Sequence, residues 1–415
     1  MKKSFVIFTL LVAWALTSVA QDAPSFGIRF SGFVKTDMFW DSRQTIDARE
    51  GHFLLYPANE RLDENGDDIN AKASFTMLSI QTRLRGTITG PDALGAKTMG
   101  VIEGAFFGHT NSDINGFRLR HAFVKLSWTK TSLLVGQYWH PAFVTYCFPG
   151  TVSFNTGAPF VPFTRNPQIR VTHKLGNFNL MLTALSQIDF FSTGPNGPGR
   201  EYVRNAAIPT FNFRAEYRKV NTDENKEFLI GFGINYKTLT PRLVTETNYK
   251  TTETIGTFSE TFFVKFKVPA LTVKLQGVYA EDPFNWVMIG GYAVQEITDI
   301  AKDYRSYIPI RTFSSWLDIH SNGKKWQVGL LAGYSKNMGA SEDFSALPTY
   351  QRGSDIGYLY RISPRFVYNS GKFRIAPEIE YTVAGYGKTI KANGTVDEIT
   401  EVGNVRFLLG VYYFF

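Results

Sequence analysis

Val405-Arg406-Phe407-Leu408-Leu409-Gly410-Val411-Tyr412-Tyr413-Phe414-Phe415 ends the chain. Phe407, Leu409, Val411, Tyr413 and Phe415 fall on one side and are all apolar, while Arg406, Leu408, Gly410, Tyr412 and Phe414 fall on the other. A period of two with one wholly apolar face is a β-strand beside a greasy environment. Aromatics fill the last four positions, where a membrane-spanning strand meets the interface. The competing reading, a buried terminal strand of a soluble sandwich, fits poorly with a C-terminal carboxylate placed on a run of aromatics. The stretch predicts an all-β, transmembrane antiparallel barrel.

The opposite end reads as a secretory signal. Lys2 and Lys3 give the positive start, Phe5 to Leu16 the apolar stretch, and Ser18-Val19-Ala20 the cleavage site, which predicts a mature chain from Gln21. No cysteine stands at that junction, so no lipoprotein anchor is expected. Removing the two lysines lowers the formal charge from +8 to +6, still basic. No later run of roughly 18 apolar residues follows, so no transmembrane helix is expected. Yet 15% of the chain is aromatic, with 36 Phe and 20 Tyr, against a mean hydropathy of −0.13. Alternating lipid-facing strands produce that combination. Cys147 is the single cysteine; it cannot form an internal disulfide and reads as a loop residue. One closed barrel over residues 21–415 accounts for the mature chain as a single domain.

Strand candidates recur from Phe26. In the first, Phe30, Val34, Met38 and Trp40 face one way, and Arg29, Ser31, Lys35 and Asp37 the other. In the second, Leu78, Ile80, Leu84 and Ile88 point to lipid, and Ser79, Gln81, Arg83 and Arg85 point inside. Others lie at about 96–109, 115–128, 131–139, 167–174, 177–190, 208–219, 226–239, 257–268, 270–281, 308–320, 324–335, 355–369, 372–387 and 401–415. These make sixteen. A seventeenth apolar stretch, Trp286 to Val294, contains Gly290-Gly291 and follows Asp282-Pro283. Bacterial barrels carry an even number of strands, so 282–307 is assigned to one long loop with some β-structure of its own; eighteen strands is the competing count. Short connections at Gly90–Gly95, Thr129–Thr131, Leu175–Asn177, Pro269, Ser321–Lys324 and Asn369–Gly371 read as periplasmic turns. Long ones at 42–69, 140–166, 191–206, 240–256, 282–307, 336–354 and 388–400 read as outer loops. The first strand begins close behind the cleavage site, which argues against a plugged, energised transporter.

By alternation, Arg83 and Arg85, Arg118 and Arg120, Arg170, and Arg214 and Arg218 point into the lumen from strands two, four, six and eight, with Lys35 from strand one. These are the candidate pore-lining and anion-binding residues. Excess guanidinium in a water-filled passage concentrates anions, and Arg meets carboxylate or phosphate in bidentate geometry. The bland alternative is that barrel lumens are polar anyway and that these side chains pair with Glu103, Glu216, Glu378 or Glu380. His140 to Arg165 is the longest loop without an acid and carries four prolines. So apolar a loop is poorly suited to open water, and it is expected either to fold inward as a constriction or to cover a subunit contact.

Other chemistry is faint. Asp63-Glu64-Asn65-Gly66-Asp67-Asp68 offers oxygen ligands of the kind calcium takes, but lacks the spacing and terminal Glu of an EF-hand loop and reads as a solvated tip. Six histidines are scattered without an i, i+4 pair, and His121 falls on the lipid side with Leu119 and Phe123. No G-x-S-x-G, H-E-x-x-H or Gly-rich phosphate loop occurs. No catalytic residue, metal, cofactor or nucleic-acid partner is expected.

Several stretches carry a resemblance. Gly95–Gly108 (G-A-K-T-M-G-V-I-E-G-A-F-F-G) leads to Phe117–Trp128 (F-R-L-R-H-A-F-V-K-L-S-W) and Leu133–Trp139 (L-L-V-G-Q-Y-W). The proline-rich loop and Arg165–Thr172 (R-N-P-Q-I-R-V-T) follow. Together they resemble the DcaP-like outer-membrane porins, a family of sixteen-stranded trimeric channels. The likeness is best over about 75–175 and is architectural elsewhere. It implies passive diffusion of small anions such as dicarboxylates through an Arg-lined constriction, with Arg118, Arg120 and Arg170 at the matching motif positions. Some members carry an N-terminal coiled coil; Gln21 to Ser25 leaves no room for one, so a homotrimer would rest on barrel-wall contacts. The chain's ending likewise resembles the terminal signal strand of outer-membrane barrels. That implies the outer membrane of a Gram-negative bacterium, contact with its lipid and lipopolysaccharide, and recognition of Phe415 by the barrel assembly machinery. The expected function is a passive diffusion channel and not an enzyme. The competing readings are a closed-lumen barrel for surface binding or adhesion and, behind it, a lipid hydrolase.

Overall fold

The computed structural model describes residues 26–344 and 348–415, so the expected signal at 1–20 lies outside the described residues. One antiparallel sheet closes on itself. Its strands are β1 (Gly27–Asp41), β2 (Ser74–Leu78 continued by Arg83–Thr89), β3 (Lys97–Ala105), β4 (Arg118–Ser127), β5 (Thr131–Trp139) and β6 (Arg165–Leu175). Then come β7 (Phe178–Leu185), β8 (Thr210–Asn221), β9 (Lys226–Leu239), β10 (Ile255–Lys267) and β11 (Leu271–Glu281). The circle is completed by β12 (Tyr304–Ser321), β13 (Trp326–Gly339), β14 (Ile356–Ser370), β15 (Phe373–Ile390) and β16 (Val396–Phe414). Among the described residues the barrel therefore has sixteen strands.

Closure runs through the terminal strand. β16 pairs with β1 from Phe414 opposite Phe33 to Arg406 opposite Asp41, and β1 gives its other edge to β2. Closing the ring leaves neither β1 nor β16 with a free edge, which a membrane-spanning sheet requires. Phe407, Tyr413 and Phe415 are exposed on the outer wall, while Arg406, Leu408 and Tyr412 are buried inside. Aromatic pairs stand at both rims of the wall: the rings of Trp326 and Tyr368 lie 4.2 Å apart at the turn end, and those of Tyr236 and Phe258 lie 4.8 Å apart at the loop end. Aromatics so placed hold a barrel at the two interfaces of a bilayer.

The long loops are L1 (residues 42–73), L2 (106–117), L3 (140–164), L4 (186–209), L5 (240–254), L6 (282–303) and L7 (340–355), with a tight turn at 391–395. As expected, 282–307 adds no spanning strand: its Gly290–Asp299 segment pairs with the upper part of β12 and with Thr349–Arg352. Two expected boundaries differ. Residues 388–400 form no long loop, because β15 and β16 keep their alternation to Ile390 and Val396 and turn tightly at Gly394, whose φ is 79°. Conversely, the strand expected at 96–109 ends early, at Ala105, and the one expected at 115–128 begins late, at Arg118. Asp113 collects the amides of His109 and Thr110 at 3.0 and 2.7 Å and folds L2 instead.

Two irregularities reverse side chains against the expected alternation. Between the halves of β2, residues 79–82 leave the ladder, and Leu78 and Ile80 pack inward rather than facing lipid. In β4 the register with β3 slips between Glu103 opposite His121 and Gly104 opposite Leu119, so Arg120 is the extra residue of a bulge. Arg120 and His121 then both face inward, and Phe123 follows them, leaving Leu119 and Val124 exposed to lipid. A one-residue bulge flips everything beyond it; His121 is a lumen residue, not a boundary one.

Candidate functional site

L3 crosses the lumen and is held by the far wall. In it only Tyr146 and Gly150 are exposed. Phe143, Phe154, Phe160 and Phe163 join one apolar cluster with Leu229, Phe263, Trp316, Leu331 and Leu359 from the wall. Burying each such ring contributes roughly 1.5–3 kcal/mol. The polar backbone of the loop is matched by wall side chains. Glu378 accepts from the amides of Val152 and of Ser153, the latter at 3.0 Å. Glu380 accepts from Ser153 Oγ at 3.1 Å and Asn155 Nδ2 at 2.9 Å. Arg361 donates to the carbonyls of Ala158 and of Leu55, both at 2.9 Å, tying L3 and L1 to one guanidinium. L1 enters as well, as a hairpin of Thr45–Ala48 against Phe53–Pro57 whose Phe53 and Tyr56 belong to the same cluster.

Burial of the Cys147 thiol in this loop pushes it up to about 12, so no thiolate nucleophile forms there. The acidic run in L1 is spent locally: Asp63 accepts from the amides of Asn65 and Asp67 at 2.8 and 2.9 Å, and Asp68 from those of Arg61 and Asn70.

Beneath L3 lie two adjoining cavities. The larger, about 510 Å³, reaches the short-turn end of the barrel at Asn177 and Val220. Its wall carries Arg85, Lys125, Arg170, Lys174, Arg214 and Arg218 and no carboxylate. The smaller, about 270 Å³, shares Arg85, Tyr138 and Thr145 with it and sits between the L3 aromatics and a wall of Arg83, Arg85, Arg120 and Glu103.

Glu103 is the hub of that neck, 2.9 Å from Arg120 and 3.5 Å from both Arg83 and Arg85. Arg214 lies 3.2 Å from Glu216, and Arg218 lies 2.8 Å from Glu227, which also takes Lys265. Arg170 donates to the carbonyl of Trp139 at 2.7 Å. Among the described residues it has no carboxylate within ion-pair distance, and neither do Lys125 and Lys174. The candidate residues thus divide. Arg83, Arg85, Arg120, Arg170, Arg214 and Arg218 border the two cavities. Arg118 does not: it pairs with Asp189 and borders a separate cavity of about 340 Å³ under L2. Lys35 does not either. It is fully buried, 2.8 Å from Asp37 and donating to the Val152 carbonyl at 2.7 Å, so it fastens L3 rather than facing the passage.

No protein-family model matches the chain, and no curated protein does. Solved structures do. The outer membrane channel DcaP of Acinetobacter baumannii is similar over 95% of this chain and 99% of its own, with a TM-score of 0.70 at 16% identity. The fold is that of the DcaP channel. The anion-selective porin of Comamonas acidovorans is similar over 94% of this chain and 100% of its own, with a TM-score of 0.54 at 12% identity. In-vitro folded OmpT of Vibrio cholerae in its trimer form is similar over 94% and 99%, with a TM-score of 0.53 at 11% identity. The chain shares with these proteins a closed antiparallel barrel, its large apolar side chains exposed on the outer wall and its polar residues within.

Within this DcaP-like barrel, alternation missed several charged residues. Lys125 was hidden by the β4 bulge, although a lysine at a nominally lipid-facing position is itself the signal of a register shift. Lys174 shares its parity with Arg170 and was legible. Arg165, 2.8 Å from Asp189, and the L3 anchors Arg361, Glu378 and Glu380 needed the loop's path to be understood.

Proposed function

We propose that this barrel is a passive diffusion channel that favours small anions, dicarboxylates among them. The observation that carries the reading is the larger cavity, whose charged side chains are all cationic. Three of those, Lys125, Arg170 and Lys174, have no carboxylate partner to cancel their field. In a narrow passage with low-dielectric walls such a field raises the local anion concentration. Arg83, Arg85 and Arg120 add donors at the neck, where two carboxylates of one solute can be met by planar guanidinium forks. No bond is made or broken in transport, so the reading needs no catalytic group. A homotrimer held by barrel-wall contacts, an outer wall in contact with lipid and lipopolysaccharide, and assembly through Phe415 complete the proposal.

The test is a planar bilayer under a potassium chloride gradient. Wild type should give a reversal potential on the chloride side, and Arg170→Gln with Lys174→Gln should move it toward zero. Arg118→Gln, whose partner is Asp189, should leave it nearly unchanged. An unaltered potential in the double variant would sink the assignment. A second reading has its own observation: L1, L2 and L3 pack the middle of the lumen with aromatics no more than 3% exposed at Phe53, Phe107, Phe143, Phe154 and Phe163. Folded protein without conductance would favour a closed-lumen surface-binding barrel.

A further inference from the structure

Arg49 stands at the tip of the L1 hairpin, inside the barrel and 1% exposed. Its guanidinium is ringed by Phe107 and Phe154, each 4.8 Å from Cζ, and by Phe53 at 5.4 Å. None of its three nitrogens, Nε, Nη1 or Nη2, has a hydrogen-bond partner. The two nearby carboxylates are otherwise engaged. Asp47 accepts from the Gly51 amide at 2.9 Å and Thr45 Oγ1 at 2.7 Å, and Asp113 holds the L2 turn.

The tip is aimed rather than loose. Arg49, Glu50 and Gly51 all take positive φ, at 59°, 53° and 81°. The Gly51 carbonyl accepts from Arg406 Nη1 at 2.8 Å, and the Glu50 amide donates to Asn111 of L2 at 3.0 Å. A non-glycine residue in that region is held against its preference, which structures sustain where position matters. Around it guanidiniums crowd together. Arg118, Arg120 and Arg165 lie close by and take Glu103 and Asp189 as their bonded partners, while no carboxylate among the described residues bonds Arg49. Ring faces attract a cation, yet they satisfy none of its N–H donors, and buried donors without partners call for an acceptor.

We propose that Arg49 is an oxyanion-binding residue on the outer side of the constriction, where it takes a carboxylate or phosphate group of the passing solute before the solute reaches the Arg120–Glu103 neck. This rests on the anion-channel reading. The gate is then built from three loops, with L1 supplying the recognition group and Phe53 of L1, Phe107 of L2 and Phe154 of L3 its aromatic bed.

Inorganic phosphate is the probe, read as concentration-dependent block of chloride current through the full barrel in a bilayer. Arg49→Met keeps an apolar stem against the phenylalanines and removes the fork. It should raise the half-blocking phosphate concentration about tenfold, the loss expected for a charged hydrogen bond. Arg49→Lys, for the case in which the methionine variant fails to fold, should weaken block as well, since an ammonium cannot meet two oxygens in one plane. Unchanged block in whichever of these folds, in a barrel that still prefers chloride, overturns the role of Arg49 alone. Wild type without chloride preference overturns the channel reading beneath it.

Discussion

Glu103 lies 2.9 Å from Arg120 and 3.5 Å from Arg83 and Arg85, so one carboxylate faces three guanidiniums. Its charge trims the positive field at the neck and also keeps the arginines apart and in place. Glu103→Gln should therefore act in two directions. Chloride preference should increase in a salt-gradient reversal measurement. The folded barrel should also lose resistance to heat, because removing one partner of a buried ion cluster costs about 3–5 kcal/mol; the shift would be read by heat-modifiable gel mobility. A decrease in chloride preference would place the selective field elsewhere than this wall. Arg120 reaches Glu103 only because the β4 bulge turns Arg120 and His121 inward together. Strict alternation put Arg120 on the correct side and His121 on the wrong one, since the parity of a strand carries no sign of an inserted residue.

At the level of elements, L3 lies across the lumen and is anchored to the far wall. Its apolar sequence argued against open water but left two shelters open, the lumen and a subunit contact; the contacts of Phe143, Phe154, Phe160 and Phe163 with the far wall put it in the lumen. Its anchors were not legible, because Glu378, Glu380, Arg361 and Lys35 lie on strands far apart in sequence and meet the loop only across the lumen. L1 was less legible still. Its hairpin is framed by polar and acidic residues, and nothing in that composition marks Arg49 or Phe53 as interior. Glu378→Ala combined with Glu380→Ala removes the acceptors for Val152, Ser153 and Asn155. Each charged hydrogen bond lost is worth roughly 1.5–3 kcal/mol, enough together to free that part of the loop. Single-channel conductance should rise and become noisier; conductance equal to wild type would mean that the aromatic cluster alone holds L3.

On the scale of the whole molecule, the sixteen-strand count followed from sequence because lipid imposes the alternation strand after strand, and an even number lets both ends of the sheet meet at β1 and β16. The charge asymmetry inside is a different kind of property, a sum over residues that the wall merely holds in place. Arg85, Lys125, Arg170, Lys174, Arg214 and Arg218 lie on strands β2 to β8, one arc of the barrel. The opposite arc is neutralised by pairs such as Arg365 with Asp318 at 2.8 Å and Arg406 with Asp41 at 2.7 Å. A field from one side of a wet cavity is open to screening, whereas paired charges under L3 are not. The Debye length falls from about 10 Å at 0.1 M salt to about 3 Å at 1 M. The chloride-to-potassium permeability ratio should therefore decline toward unity across that range in a planar bilayer, while conductance steps keep their size relative to bulk conductivity. A ratio that stays constant would locate selection in the direct contacts of the neck, where Arg83, Arg85 and Arg120 meet the solute, rather than in the summed field of the vestibule.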